Sequence, residues 1–226
     1  MAEVLVQDTS LQAIADAIRE KNGTETTYKP SEMGTAIRAI ESGGGDYTSE
    51  QIMALIDGSI TDFVIPDGIT MICRYAFYYR NKLKNITIPE SCTIIGESAF
   101  QGCALANINL PKNLKEVKTR GFAECGLVIT QLPTTLETIG DLAFSYGTTS
   151  ILKIPASVKV VGKSVFYQNK SLTEITFEGT PTNMAGDVFH VCPNLSVINV
   201  PWSEGEVANA PWGATNATIN YNYTGD

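Results

Sequence analysis

The chain has 226 residues, of which 43% are hydrophobic and 18% charged, enough apolar material for an elongated core with a small appendage. Its 16 basic and 24 acidic side chains leave a formal net charge of −8, which argues against a nucleic-acid or anionic-membrane partner. No apolar run reaches the roughly 18 residues of a transmembrane helix, and residues 1–30 show neither the basic region nor the apolar run of a secretory signal.

In DTSLQAIADAIREKNG, Leu11, Ile14, Ala15 and Ile18 recur at helical spacing; Thr9 or Ser10 is placed to cap the start and Gly23 to end it. In KPSEMGTAIRAIESGGG, Met33, Ile37 and Ile40 share a second helical face, and Gly43, Gly44 and Gly45 come next. Residues 1–44 therefore read as a helical hairpin on a Gly-rich linker. Thr48 and Gln51 form a capping box ahead of Ile52, Leu55 and Ile56, so residues 45–62 are expected to be a helical cap over the open end of the domain that begins at residue 63.

From residue 63 to 201 the chain repeats. Phe77, Phe100, Phe122, Phe144, Phe166 and Phe189 recur every 22 or 23 residues, the period of stacked units that are each too small to bury their own apolar face. Ile65, Ile88, Leu110, Leu132, Ile154, Phe177 and Val200 form one apolar column; Ile72, Ile95, Val117, Ile139, Val161 and Met184 form another. Both are expected to face the core. Before each Phe stands a small or β-branched residue, as in Ala76, Ala99 and Gly121, where neighbouring turns crowd together. Phrases such as ITIP and INLP read as short strands ended by a proline, which lacks the N–H to continue a ladder, with parallel stacking at about 4.8 Å per turn. Residues 202–226, with Trp202 and Trp212 beside the last turn, are expected to be the C-terminal cap.

Cys103, Cys125 and Cys192 share the position three after the Phe, filled elsewhere by Arg80, Gly147 and Asn169, and Cys92 takes the apolar column of Leu114, Leu136 and Val158. Free buried thiols are expected; a Cys103–Cys125 bridge between neighbouring turns stays open, although stacked side chains point the same way. No C-x-x-C pair supports zinc, and no cofactor motif is present: ESGGGDY lacks the Lys and Ser or Thr of a phosphate-binding loop. His190 lies close to Cys192, but adjacent positions on a turn do not make a thiol–imidazole dyad. A non-enzymatic protein is expected.

Two surfaces are candidate binding sites. The first is the outward position of each strand, giving the column Thr87, Asn109, Gln131, Lys153, Thr176 and Asn199, polar side chains suited to a glycan or an extended polypeptide. The second is the turn face, where Tyr78, Tyr79, Tyr146 and Tyr167 follow their Phe and are able to stack on a sugar ring or anchor a protein contact. The cluster of Lys112, Lys115, Lys118 and Arg120 reads as a solvated outer loop.

The pattern L-x-x-I-x-L-P-x-x-L-x-x-I-G-x-x-A-F-x-x-C-x-x-L resembles the leucine-rich repeats of the BspA type, found in bacterial surface and secreted proteins. That resemblance implies a right-handed solenoid with a strand on its concave side. With the N-terminal hairpin, the expected fold class is α+β. The segments LQAIADAIREKNGTETTYKPSEMGTAIRAI and VPWSEGEVANAPWGATNATINYN are similar to the ends of phage and prophage tail proteins of Gram-positive gut bacteria. This second resemblance implies that the hairpin over 1–44 is an assembly or docking module of a tail-type component whose repeats recognise a host cell-surface protein or glycan, or other phage structural subunits, as a possible homo-oligomer on a virion. The alternative is a bacterial cell-surface adhesin of the leucine-rich-repeat type, binding protein or glycan.

Overall fold

The computed structural model describes residues 59–65, 67–105 and 108–225. The helical hairpin expected over 1–44 and most of the cap expected over 45–62 lie outside the described residues. Among the described residues there is no helix. They form a parallel β-solenoid, and the α+β expectation reduces there to a fold built from strands and turns alone.

Among the described residues twelve short strands succeed one another in chain order: β1 Asp62–Val64, β2 Met71–Ile72, β3 Asn85–Thr87, β4 Ile94–Ile95, β5 Glu116–Val117, β6 Thr138–Ile139, β7 Ile151–Ile154, β8 Val160–Val161, β9 Glu174–Phe177, β10 Asn183–Met184, β11 Val197–Asn199 and β12 Thr218–Asn220. The two-residue strands stack as one six-stranded sheet, β2-β4-β5-β6-β8-β10, with each partner one repeat away and parallel. Its inward column is Ile72, Ile95, Val117, Ile139, Val161 and Met184, all buried, as the spacing predicts. Along that column an apolar side chain meets an apolar side chain at each step, so one register satisfies all turns at once.

The Phe column stacks within the core. Ring centroids are 5.2, 5.1, 5.9, 6.2 and 5.9 Å apart from Phe77 to Phe189, with planes within 16° of parallel. Each Phe N–H donates to a carbonyl of the next turn: Phe77 to Ala99, Phe100 to Gly121, Phe122 to Ala143, Phe144 to Val165, Phe166 to Val188. The chain bends sharply around each Phe through a left-handed residue on either side, as at Tyr75 and Tyr79 (φ 61° and 52°) or Leu142 and Tyr146 (φ 57° and 59°). The glycine of the I-G phrase has a packing reason: a Cβ on Gly96 would stand 2.5 Å from the Ile72 carbonyl oxygen.

The cysteine position also has a reason. Cys103, Cys125 and Cys192 are free buried thiols whose Sγ atoms donate to the Phe77, Phe100 and Phe166 carbonyls at 3.0, 2.9 and 3.0 Å. Asn169, in the same position, donates Nδ2 to the Phe144 carbonyl at 2.9 Å. At these four turns the position thus holds a small donor for a carbonyl of the preceding turn, and the Cys103–Cys125 bridge left open above does not form.

At the C-terminal end the chain imitates one more turn. Trp212 supplies the carbonyl that accepts the Phe189 N–H. Its ring is fully buried and meets Trp202 edge-on at 5.9 Å. Strand β12 then pairs with β11, Ile219 opposite Ile198.

Candidate functional site

A third line of pairing, on the face carrying the three- and four-residue strands, is interrupted. It consists of a two-stranded sheet, β1-β3, and a four-stranded sheet, β7-β9-β11-β12. Between them lie residues 108–110 and 130–132. Among the described residues neither segment makes a backbone hydrogen bond to a neighbouring turn.

The cause lies in the alternation. In an ordinary turn Leu83 is buried, Lys84 and Asn85 are both exposed, and Ile86, Thr87 and Ile88 then alternate in, out, in. The turn from Leu127 to Leu132 has the same length but places its pair of outward residues later. Val128 points out, Ile129 is 5% exposed, and Thr130 and Gln131 are both exposed before the buried Leu132. Thr130 stands where Ile86, Ile108, Leu152, Ile175 and Ile198 stand, so the apolar demand falls on Ile129 instead. Thr149, in the column of Leu83, Leu105, Leu127, Leu172 and Leu195, completes the change. It is 4% exposed, and its Oγ1 accepts the Ile129 N–H at 2.7 Å and donates to the Ile129 carbonyl at 3.5 Å. One hydroxyl thus satisfies backbone groups that a strand partner would take; Val128 keeps a single bridge and the Leu127 carbonyl accepts the Thr148 N–H, but residues 130–132 stay out of a parallel ladder whose partners keep the usual phase.

The result is a strand-face cleft of about 570 Å³ bordered by both unpaired segments, a volume within the range of ligand sites. Its apolar lining is Ile108, Leu110, Leu132 and Pro133. Ile108 and Leu110 are only half-buried, although Leu110 belongs to a column expected in the core; the slipped neighbour fails to cover them. Polar groups come from Glu90, Asn109, Lys112, Thr130, Gln131 and Thr134. One rim is fixed in place. The Lys112 N–H donates to Glu90 Oε2 at 2.7 Å, Asn113 Nδ2 to the Glu90 carbonyl at 2.9 Å, and Thr135 Oγ1 to the Leu114 carbonyl at 2.8 Å.

The outward column predicted from sequence divides at this cleft. Asn109 and Gln131 line it; Thr87 and Lys153 are exposed on the strands to either side. Thr176 is half-buried and Asn199 only 3% exposed. Asn199 Nδ2 donates to Glu174 Oε1 at 2.9 Å and to Thr176 Oγ1 at 3.1 Å, while its Oδ1 accepts from Asn220 Nδ2 at 2.8 Å. These two residues are occupied in joining strands.

On the turn face, Tyr78 and Tyr79 meet edge-to-face at 4.7 Å, and Tyr79 donates its hydroxyl to Glu124 Oε2 at 2.8 Å, which holds it down across two turns. Tyr146 meets Tyr167 edge-on at 5.5 Å, and His190 stacks on Tyr167 at 5.7 Å. Nothing in the spacing of His190 and Cys192 signals that His190 extends the Tyr146–Tyr167 row. Cys192 faces the other way, with its thiol on the Phe166 carbonyl and its pKa pushed up to about 11 by burial. Among the described residues no group of three His, Cys, Asp or Glu is placed to hold a metal ion.

A family model described as the BspA type leucine-rich repeat region matches residues 54–128 and 93–210, in 6 copies. Among solved structures, a leucine-rich repeat protein of T. pallidum is 30% identical, with a TM-score of 0.55 over 62% of this chain and 72% of that one. A leucine-rich cell surface protein from Faecalibacterium prausnitzii is 22% identical, with a TM-score of 0.36 over 74% of this chain and 60% of that one. The pneumococcal vaccine antigen PcpA is 16% identical, with a TM-score of 0.37 over 74% of this chain and 58% of that one. No curated protein matches the chain. None of these findings supports the similarity of the end segments to phage tail proteins.

Proposed function

Because the chain belongs to the BspA-type leucine-rich-repeat family, we propose that it is a non-enzymatic binding protein of the bacterial cell surface, an adhesin-type module that recognises a host protein or glycan through its strand face. The observation that carries this reading is the interrupted ladder. A solenoid whose only task was to space two ends apart would gain stability from closing that gap. Here two half-buried apolar side chains, Ile108 and Leu110, and two backbone segments that are unpaired among the described residues lie beside Asn109 and Gln131. Exposed apolar surface rimmed by polar groups is the composition of a recognition site.

The reading of the chain as a phage tail component rests on its end segments. Within residues 202–225, capping already accounts for the two tryptophans and β12, so this reading takes second place. The test is binding of the fluorescently labelled full-length chain to host epithelial surfaces, to isolated host glycans and to intact Gram-positive bacteria. Gln131→Arg and Tyr146→Ala serve as variants of the two faces. Host-surface binding lost in Gln131→Arg and kept in Tyr146→Ala is the expected result. Binding that depends on Tyr146 alone moves the site to the turn face, and binding only to bacteria favours the tail-type reading.

A further inference from the structure

We infer that the strand-face cleft takes an extended polypeptide segment of a partner protein, which adds to the solenoid as a strand against the backbone of residues 108–110 and 130–132, unpaired among the described residues. The inference rests on the binding role proposed above and names the ligand class of that site.

Three observations select a main chain over a sugar. The first is what the cleft leaves unsatisfied. Elsewhere on this face the strands meet in parallel ladders, Asp62–Val64 on Asn85–Thr87 and Ile151–Ile154 on Glu174–Phe177. Backbone groups withheld from such a ladder are matched by another backbone, whose N–H and C=O recur at the same spacing. Sugar hydroxyls share no such period.

The second observation is the lining. An extended segment presents alternate residues to opposite sides. The half-buried Ile108 and Leu110 would receive one set, so that set should be apolar; Asn109, Thr130 and Gln131 stand beside the other, which should be polar. The third is size. Each unpaired segment is three residues long, about 10 Å at roughly 3.3 Å per residue, so the recognised core is a segment of about three to five residues.

The turn side keeps the cleft from collapsing or running open. Ile94, Glu116 and Thr138 pair in sequence behind it, so both segments are anchored on one side and free on the other. Glu90, Lys112 and Asn113 fix the rim. The site is therefore largely formed before the ligand arrives, which limits the ordering cost of strand addition.

The test uses the immobilised full-length chain, panned against a displayed random heptapeptide library and, in parallel, against an array of soluble glycans. Enriched heptapeptides with alternating apolar and polar residues are expected. Methylating the backbone nitrogen of a selected peptide at alternate positions should weaken binding by roughly three- to tenfold for each blocked amide that pairs. Two protein variants localise the site. Thr130→Pro removes one N–H from the unpaired edge, and Thr134→Trp fills the mouth without touching the backbone; each should abolish capture while the circular-dichroism spectrum stays that of the parent. Peptide capture insensitive to amide methylation, or insensitive to both variants, overturns the inference. Enrichment of glycans alone overturns it too, while leaving the chain a binding protein, so the two readings fail separately.

Discussion

The turn face and the strand face of this solenoid are built from the same repeats, yet one is continuous and the other divided. Along the turns, a carbonyl of the next turn or of the cap accepts each Phe N–H from Phe77 to Phe189, and the two-residue strands pair without a gap from Met71–Ile72 to Asn183–Met184. Along the strands, two segments in the middle pair with nothing among the described residues. Each turn is held to its neighbour more than once, so one line of bonds is free to be surrendered while the others keep the stack. That redundancy is what lets a repeat protein open a site in its middle, where a single sheet of the same sequence would come apart.

The comparison breaks first if the Phe column is not the element that holds the stack. Phe122 is 1% exposed and lies between Phe100 and Phe144, 5.1 and 5.9 Å away. Its ring is thus in the turn whose strand segment leads into the cleft. Phe122→Ala should cost about 3–5 kcal/mol in urea unfolding. A loss below about 1 kcal/mol would mean that this region is not held from the turn side.

Alkaline pH tests the same column through its thiols. Burial pushes Cys192 and Cys125 up to about 11 and about 12 from the ordinary 9.0, and raises Cys103 as well. The unfolded chain ionises these thiols near pH 9, whereas the folded chain holds their protons. Their stabilising contribution is therefore complete below pH 9 and lost as pH rises toward the folded values. Each thiol should remove about 1.4 kcal/mol per pH unit within that window. Urea midpoints should stay level from pH 7 to 8.5 as far as thiols contribute, then fall steeply by pH 10.5. In Cys125→Asn the slope should shrink by one thiol's share, because an amide at that position is able to donate to the Phe100 carbonyl as Asn169 does to Phe144. An unchanged slope would refute the assignment.

Asn109 and Asn199 occupy the same column in the two parts of the strand face. Asn199 is buried, with its amide bonded to Glu174, Thr176 and Asn220. Asn199→Ala leaves those partners unmatched and should cost about 1–3 kcal/mol. Asn109, exposed at the cleft, makes no such bonds among the described residues, and Asn109→Ala should change stability by less than about 0.5 kcal/mol. Equal costs in denaturant titrations would erase the distinction between a satisfied half and an open one.

How far these faces were legible in the sequence depends on how each is encoded. The Phe column and the Ile72 to Met184 column recur in every turn, so their burial was readable from spacing alone. The cleft is encoded by two departures, Thr130 among isoleucines and leucines and Thr149 among leucines, and each alone is an ordinary threonine. Only placing both in their columns reveals that Ile129 must turn inward and that a hydroxyl waits for its N–H. Leu110 was expected in the core and is half-buried for the same reason: a column predicts which way a side chain points, and its cover depends on the neighbouring turn. Asn199 was read as a surface residue because β12, which contributes Asn220 against it, lies in a segment whose tryptophans announced a cap and whose strand did not.

One stabilising change isolates the cause of the gap. If phase alone divides the strand face, restoring phase should close it. Ile129→Asn with Thr130→Ile returns Leu127 to Pro133 to the Leu-x-Asn-Ile-x-(Ile or Leu)-Pro order seen from Leu83 to Pro89, and Thr149→Leu removes the hydroxyl that holds the slipped turn. The triple variant exchanges one side-chain pair of bonds for ladder bonds on both sides and covers Ile108 and Leu110. It should be more stable than the parent by about 1–2 kcal/mol, with new amide-exchange protection at residues 108–110 and 130–132. Ligand capture at the cleft should disappear in the same variant, although Asn109 and Gln131 are still present. Gained protection with capture intact would separate the gap from recognition. Absence of protection would show that something other than these three residues keeps the strands apart.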